Sequence, residues 1–503
     1  MARRSSTLKW LDRLFSTQGL SGPVLTLLSG ASIVMVIGYL ALGVIARLYL
    51  PAEIGIGKYF VTIMALVGAV ASLRYEDALM LPKKDEDAAV LIWLAATVML
   101  LTAALLTVLA IWSTEIALFL DFPAIAPYLP LVPLALICMR SGKIAEFWLV
   151  RKRAFRHISA GHVSLTTSMV IGRIGAGAPP INANEAGHIG GFIFGHVIAS
   201  SFFIWVALRR SAAAIRTAFG WRRMQQAAVR YQRFALFSTP SSAIGAIMGH
   251  LTVLLIPFFF TTDVAENALG FYGMALAAIG IPISYVARSV AHPFFVSAAE
   301  AQLAGNLSQI SSLVHRRLIM IGLFPVLAVM LAGPDFFELW LGSSFRQAGI
   351  YAAYIAAWLV LSSTVSPLTR VYDVTERQRL DFAMALLLLV CLSVAWILGG
   401  LSGSIDVMLI AGGITGAVVR SVQLFVILRL AGVPWREGIA PYRDFFLLSL
   451  PGLALIGTAL LFGNKWITTG ALVLGAACYF GLVMWKEQLF RTLSPNRTPG
   501  DEA

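Results

Sequence analysis

Charge is what this sequence has least of. Only 13% of its 503 residues are Asp, Glu, Lys or Arg, against about 25% in an ordinary soluble domain. With 58% hydrophobic residues and a mean hydropathy of +0.82, a water-soluble enzyme is excluded as the main reading. Cysteine is nearly absent: Cys138, Cys391 and Cys478 are scattered, which gives neither a disulfide framework nor metal-ligand spacing. The 43 Gly and 21 Pro are dispersed through apolar runs, which excludes collagen and low-complexity disorder. No G-x-x-x-x-G-K-[ST] loop exists to hold a nucleotide, and neither HExxH nor GxSxG occurs. The chain is therefore expected to have no catalytic residues and no cofactor.

What is there is a succession of apolar runs. A helix needs about 20 apolar residues to cross the hydrocarbon, and that ruler finds about fourteen candidates. The second is expected over 57–81, the fourth over 126–149 and the eighth over 267–292. The fifth, 157–174, is the weakest, because Arg173 and a polar stretch follow it. The expected fold is all-α and polytopic, with two pseudo-symmetric six-helix lobes and two extra C-terminal helices. Its parts are an amphipathic N-terminal segment (1–22), an N-lobe (23–208), a basic linker (209–233), a C-lobe (234–430), the extra pair (431–485) and a tail (486–503).

The net charge of +13, from 38 Lys+Arg against 25 Asp+Glu, has to be read by location. Alternating from an inside N-terminus, 28 of the basic residues fall in cytoplasmic segments and four outside, Arg47, Lys58, Arg346 and Lys465. That bias is what the positive-inside rule requires, and it places both termini in the cytoplasm. The 209–233 stretch interleaves arginines with Phe219, Trp221 and Tyr231. Between two spans on the inner side it reads as an interfacial helix on anionic lipid rather than a nucleic-acid patch.

Six basic residues stay inside the spans: Arg74, Arg140, Lys143, Arg173, Arg288 and Arg420. A charge facing lipid at mid-depth costs about 2.5–3.5 kcal/mol on the insertion scale, so each should face protein or a water-filled cavity. The intramembrane acids are fewer: Glu76, Asp77 and Glu146. A net cationic interior suits a phosphate- or pyrophosphate-bearing substrate. Two readings stay open for several of them. Lys143 and Glu146 share a helix face and either pair or line a cavity; Arg288 either lines a cavity or snorkels toward the cytoplasm; Arg173 snorkels outward.

The halves resemble each other. Arg74 follows the Tyr59 of Gly57-Lys-Tyr59-Phe60 by fifteen residues, and Arg288 follows the Tyr272 of Gly270-Phe-Tyr272-Gly273 by sixteen. Parallel six-helix repeats are a transporter signature. The strings ARLYLPAEIG (46–55), SLRYEDALMLPKKDEDA (72–88), RKRAFR (151–156), FALFSTPSSAIGAI (234–247) and LGFYGMALAAIGIPISYVARSVAHPFF (269–295) carry a further likeness. Together they resemble the bacterial polysaccharide transporter family, the O-antigen and exopolysaccharide flippases. Its superfamily also holds multidrug exporters and the lipid II flippase.

The resemblance implies a two-lobed bundle in the bacterial inner membrane. It implies translocation of undecaprenyl-pyrophosphate-linked polysaccharide repeats, including lipopolysaccharide precursors, from inner to outer leaflet. Membrane lipids, a polysaccharide polymerase and export machinery are the implied partners, and no nucleic acid. Arg47 and Arg74 fall on matching basic positions. Arg140, Lys143, Arg288 and Arg420 stand on the charge argument alone, and Glu76, Asp77 and Glu146 are the candidates for ion or proton coupling. The 175–191 stretch is longer and more polar than the family pattern. A multidrug or metabolite antiporter has the same architecture, but it would favour acids over bases in its cavity. A lipid II flippase is the other alternative.

Overall fold

The computed structural model describes the backbone of residues 22–493 and the side chains of 32–486, apart from those of 284–286, 288, 289, 292, 293 and 296. The amphipathic segment expected over 1–22 lies outside the described residues apart from Gly22. Among the described residues helices are the only regular structure. That is what hydrocarbon imposes, since every backbone N–H and C=O there must be satisfied within its own segment.

In chain order the helices are α1 (Gly22–Leu48), α2 (Pro51–Val70), α3 (Asp85–Leu109), α4 (Ser113–Phe119), α5 (Val132–Arg151), α6 (Phe155–Gly177), α7 (Asn184–Thr217), α8 (Trp221–Arg230) and α9 (Thr239–Phe259). They continue as α10 (Thr262–Ala304), α11 (Leu307–Leu341), α12 (Arg346–Leu368), α13 (Arg370–Val374), α14 (Gln378–Leu401), α15 (Ile405–Leu430), α16 (Trp435–Leu460) and α17 (Lys465–Leu493). Among the described residues, 12 helical segments are long and apolar enough to cross a membrane, against an expectation of about fourteen. The other two expected spans coincide with α1 and α6. In α1 the described apolar part, Ser32–Leu48, is short of a full span. Helix α6 is long enough but carries Ser159, His162, Ser164, Thr166, Thr167, Ser168 and Arg173. The 175–191 stretch is mostly helix ends, since α6 runs to Gly177 and α7 starts at Asn184.

Local chemistry explains the ends that matter for function. Pro51 starts α2 with its φ already helical, and the Glu53 carboxylate accepts the Leu50 N–H at 2.8 Å. The helix stops at Val70, eleven residues before the expected end at 81. Leu73 and Arg74 take φ values of 48° and 58°, a left-handed turn no helix tolerates. A short 3₁₀ turn, Asp77–Met80, follows. Helix α3 opens on Asp85, Glu86 and Asp87, carboxylates placed favourably at a helix N-terminus. Ser404 caps α15 by accepting the Val407 N–H.

The chain forms two compact units. The described part of the first comprises 22–41, Phe60–Phe119 and Pro123–His250. Its core gathers Leu91, Leu94 and Ala95 of α3, Trp148 of α5 and Phe203 of α7. The basic stretch 209–233 is not one helix: α7 kinks at Ser211, ends at Thr217, and α8 follows separately. Helix α8 buries Met224 and Ala227 in that core and exposes Arg222, Arg223 and Arg230. The described part of the second unit comprises 42–59, 120–122 and 251–493. There α2 and α10 meet at Gly55 and Gly270, where a Cβ on Gly270 would run into the Pro51 carbonyl. Such contacts drive helix association in lipid, where burying apolar surface brings little gain. Helices α16 and α17 pack on α11: the Tyr479 ring stacks on Phe324 with centroids 5.0 Å apart, and its hydroxyl donates to the Met320 carbonyl at 2.7 Å. Large apolar side chains such as Leu101, Phe119 and Leu461 stay exposed. On a soluble surface that would be a liability; here it faces lipid. The protein is a multi-pass membrane protein.

Candidate functional site

The charged residues of the first unit gather where α2 breaks. The turn after Val70 turns Arg74 back onto Asp77, with Nε to Oδ2 at 2.7 Å and 32% of the Arg74 side chain exposed. Two residues from Arg74, Glu76 is fully buried. It accepts a hydrogen bond from Ser72 Oγ at 2.6 Å and pairs with the guanidinium of Arg140 from α5. Arg140 also donates to Ser72 Oγ at 2.7 Å, so three side chains close a buried triangle. Isolated, either charge would cost several kcal/mol at this depth, and the pairing is what permits both.

One helical turn along α5, Lys143 pairs with Glu146 at 3.1 Å and lies 5.3 Å from the centre of the Phe147 ring. Glu146 also meets His162 Nε2 of α6 at 3.3 Å. The Lys143 side chain is 41% exposed while Glu146 is 14% exposed, so the cation is the accessible member. Three cations of this unit thus have a carboxylate each: Arg74 with Asp77, Arg140 with Glu76, Lys143 with Glu146, while Arg173 of α6 donates to the His188 carbonyl at 3.3 Å. Arg140 is locked away; Arg74 and Lys143 present half-open donors.

The second unit holds the others. Arg47, at the end of α1, donates to the carbonyls of Gly43 and Leu339, each at 3.0 Å. Arg420 donates to Ser362 Oγ at 3.2 Å and Gln423 Oε1 at 2.5 Å, and makes no ion pair among the described residues. Arg288 lies on α10, and its side chain is outside the described residues, as are those of Tyr285 and His292. Lys58, assigned outside from the sequence, falls within α2, and a Cβ on Gly273 would press on its aliphatic stem. Sequence reasoning also passed over Ser72, whose spacing of four before Glu76 was the available signal, and the contact of His162 with Glu146, which has none. No group of His, Cys, Asp and Glu able to hold a metal ion occurs among the described residues.

Chemically, the first-unit cluster can exchange partners. An incoming phosphate oxygen can take the Arg74 or Lys143 donors from Asp77 or Glu146, because both cations are reachable and both bonds are to carboxylates of similar strength.

Comparison with known proteins follows the same line. The family model described as "Polysaccharide biosynthesis protein" matches residues 44–349. No curated protein matches the chain. Among solved structures, the lipid II flippase MurJ in an inward closed conformation aligns with a TM-score of 0.71 at 13% identity, covering 93% of this chain and 99% of that one. An inward-facing multidrug-resistance MATE transporter of the MOP superfamily aligns at 0.56 and 13% identity, covering 82% and 96%. A point mutant of the Vibrio cholerae MATE transporter VcmN aligns at 0.51 and 14% identity, covering 85% and 98%. At such identities these likenesses concern the fold.

Proposed function

Since the chain belongs to the polysaccharide biosynthesis protein family, we propose that it is a flippase for undecaprenyl-pyrophosphate-linked oligosaccharide repeats. It carries them from the inner to the outer leaflet of a bacterial inner membrane, with both termini in the cytoplasm, for O-antigen or exopolysaccharide assembly. The protein makes and breaks no bond; it exposes one binding site to the two membrane faces in turn. A polymerase and export machinery then take the delivered repeat. The observation that carries this reading is the family match over 44–349. Its span includes the α2 break and the paired charges on α5. The fold likeness to a structure named a lipid II flippase supports a lipid-linked cargo over a free drug.

The diphosphate rests on Arg74 and Lys143, the half-exposed cations. Arg140 holds the break of α2 in shape through Glu76. Arg288, Arg420 and Arg47 supply further positive charge along the route. A diphosphate cannot cross hydrocarbon bare, because moving an unpaired ion into a low-dielectric medium costs on the order of tens of kcal/mol. Displacing Asp77 or Glu146 gives the cluster a carboxylate to protonate, which favours those two among Glu76, Asp77 and Glu146 for coupling to a proton or ion gradient. Membrane potential acting on the anionic cargo is the competing energy source.

The test is complementation of a flippase-deficient strain by the wild type and by Arg74→Ala, Lys143→Ala and Arg288→Ala. Wild-type rescue with loss in the variants supports both cargo and site. Failure of the wild type overturns the assignment, and full rescue by all three variants removes the cations from it.

A further inference from the structure

The end of α15 and the start of α16 enclose a groove lined by none of the candidate binding residues. It is about 560 Å³ in volume, and its walls include Leu424, Leu428, Val433, Ile439 and Tyr442. Its lining holds one charged residue, Arg429, and no carboxylate. The groove is formed by a tight connection. Helix α15 ends at Leu430, Gly432 takes a φ of 79°, and Pro434 leads directly into α16. Gly438 is buried and lets α16 approach, since a Cβ there would press on the Leu428 side chain. Trp435, 62% exposed, stands at the rim, and the Arg436 guanidinium lies 5.6 Å from the centre of its ring. Neither Arg429 nor Arg436 makes an ion pair among the described residues, and both are exposed.

An apolar slot of this size takes part of an acyl chain. Arg429 in its lining and Arg436 against the rim indole, both exposed and without an ion pair among the described residues, supply the complement to a phosphate held at headgroup level. We propose that this groove is a binding site for an anionic phospholipid, with one acyl chain between α15 and α16 and the headgroup phosphate on Arg429 and Arg436. The charge pattern selects the ligand. A zwitterionic lipid offers the same chain, but its own cation opposes the two arginines. A lipid held here ties α16, and through it the C-terminal helix pair, to α15.

The experiment titrates the purified full chain in detergent with phosphatidylglycerol or phosphatidylcholine brominated along the acyl chains, and reads quenching of tryptophan fluorescence. Trp435→Phe isolates the signal of the groove from that of the other indoles. The expected result is a Trp435-dependent quenching that saturates at lower phosphatidylglycerol than phosphatidylcholine. In the double variant Arg429→Gln, Arg436→Gln that preference falls by about thirtyfold, at roughly 1 kcal/mol for each basic residue near an anionic surface. Leu428→Phe, which fills the slot without adding an indole, abolishes saturation with both lipids. Equal titration by the two lipids, or an unchanged preference in the double variant, overturns the proposal. So does displacement of bound phosphatidylglycerol by stoichiometric polyprenyl diphosphate, which assigns the groove to the cargo instead.

Discussion

The sharpest prediction concerns the Ser72–Glu76–Arg140 triangle. Glu76 is 0% and Arg140 7% exposed, so neither has water to fall back on when its partner is lost. Replacing Glu76 with Gln keeps the shape and most of the hydrogen bonding but strands the guanidinium charge. Removing one partner of a buried pair costs about 3–5 kcal/mol. Arg140→Met alone strands the carboxylate and should cost a similar amount. The double variant strands neither charge, and substitution of a whole buried pair by groups of similar volume is close to neutral, within about 1–2 kcal/mol. The cycle should therefore be strongly non-additive, with a coupling energy of about 4 kcal/mol or more. Denaturant-driven unfolding in mixed micelles, followed by circular dichroism for all four proteins, measures it. Single variants each within about 1 kcal/mol of wild type would refute the reasoning, as would a double variant that loses the sum of the two. Either outcome would mean that water reaches the pair and that Arg140 is free to meet substrate directly.

Three further outcomes follow from the same structure. Arg74→Ala should abolish transport with a stability loss under about 1 kcal/mol, since its ion pair is one-third exposed; translocation in liposomes set against unfolding midpoints checks it, and a large midpoint loss refutes it. Gly270→Leu should destabilise the second unit by about 1–3 kcal/mol or more, because its side chain meets the Pro51 backbone, and thermal denaturation in detergent reads the shift. Tyr479→Phe should cost about 1 kcal/mol for the lost bond to the Met320 carbonyl, whereas Tyr479→Ala should cost about 3–5 kcal/mol by emptying the stack on Phe324; the same unfolding assay separates them.

Much of the fold was legible in one dimension. Spans such as 382–398 and 445–462 emerge as α14 and α16 because hydropathy over about 20 residues tests a length, and length needs no partner. The reading failed where composition and conformation diverge. Residues 71–81 are apolar enough to extend α2 on paper, with Ala71, Leu79, Met80 and Leu81 around the charges. The left-handed backbone at Leu73 and Arg74 stops the helix there, and non-glycine residues carry no sequence mark for it. Lys58 was counted with the outer charges, and α2, which starts at Pro51 rather than at 57, carries it well inside a helix.

The site divides along the same line. Which charges enter the membrane is a property of the sequence, since a basic residue inside an apolar run has nowhere else to go. Local pairs such as Lys143 with Glu146 were open to inference from helical spacing. Whether a charge is available was not. Glu76 and Arg140 are 64 residues apart, and their pairing changes Arg140 from a candidate ligand into a buried strut. An excess of intramembrane cations, counted along the chain, suggested a net cationic interior. Packing gives Arg74, Arg140 and Lys143 a carboxylate each and, of these three, leaves Arg74 and Lys143 half open. The sequence by itself determined that this is a polytopic membrane protein with charge buried at a cost. The tertiary structure alone decided which charges offset one another, because electrostatic energy depends on distances in space that no spacing along the chain prescribes.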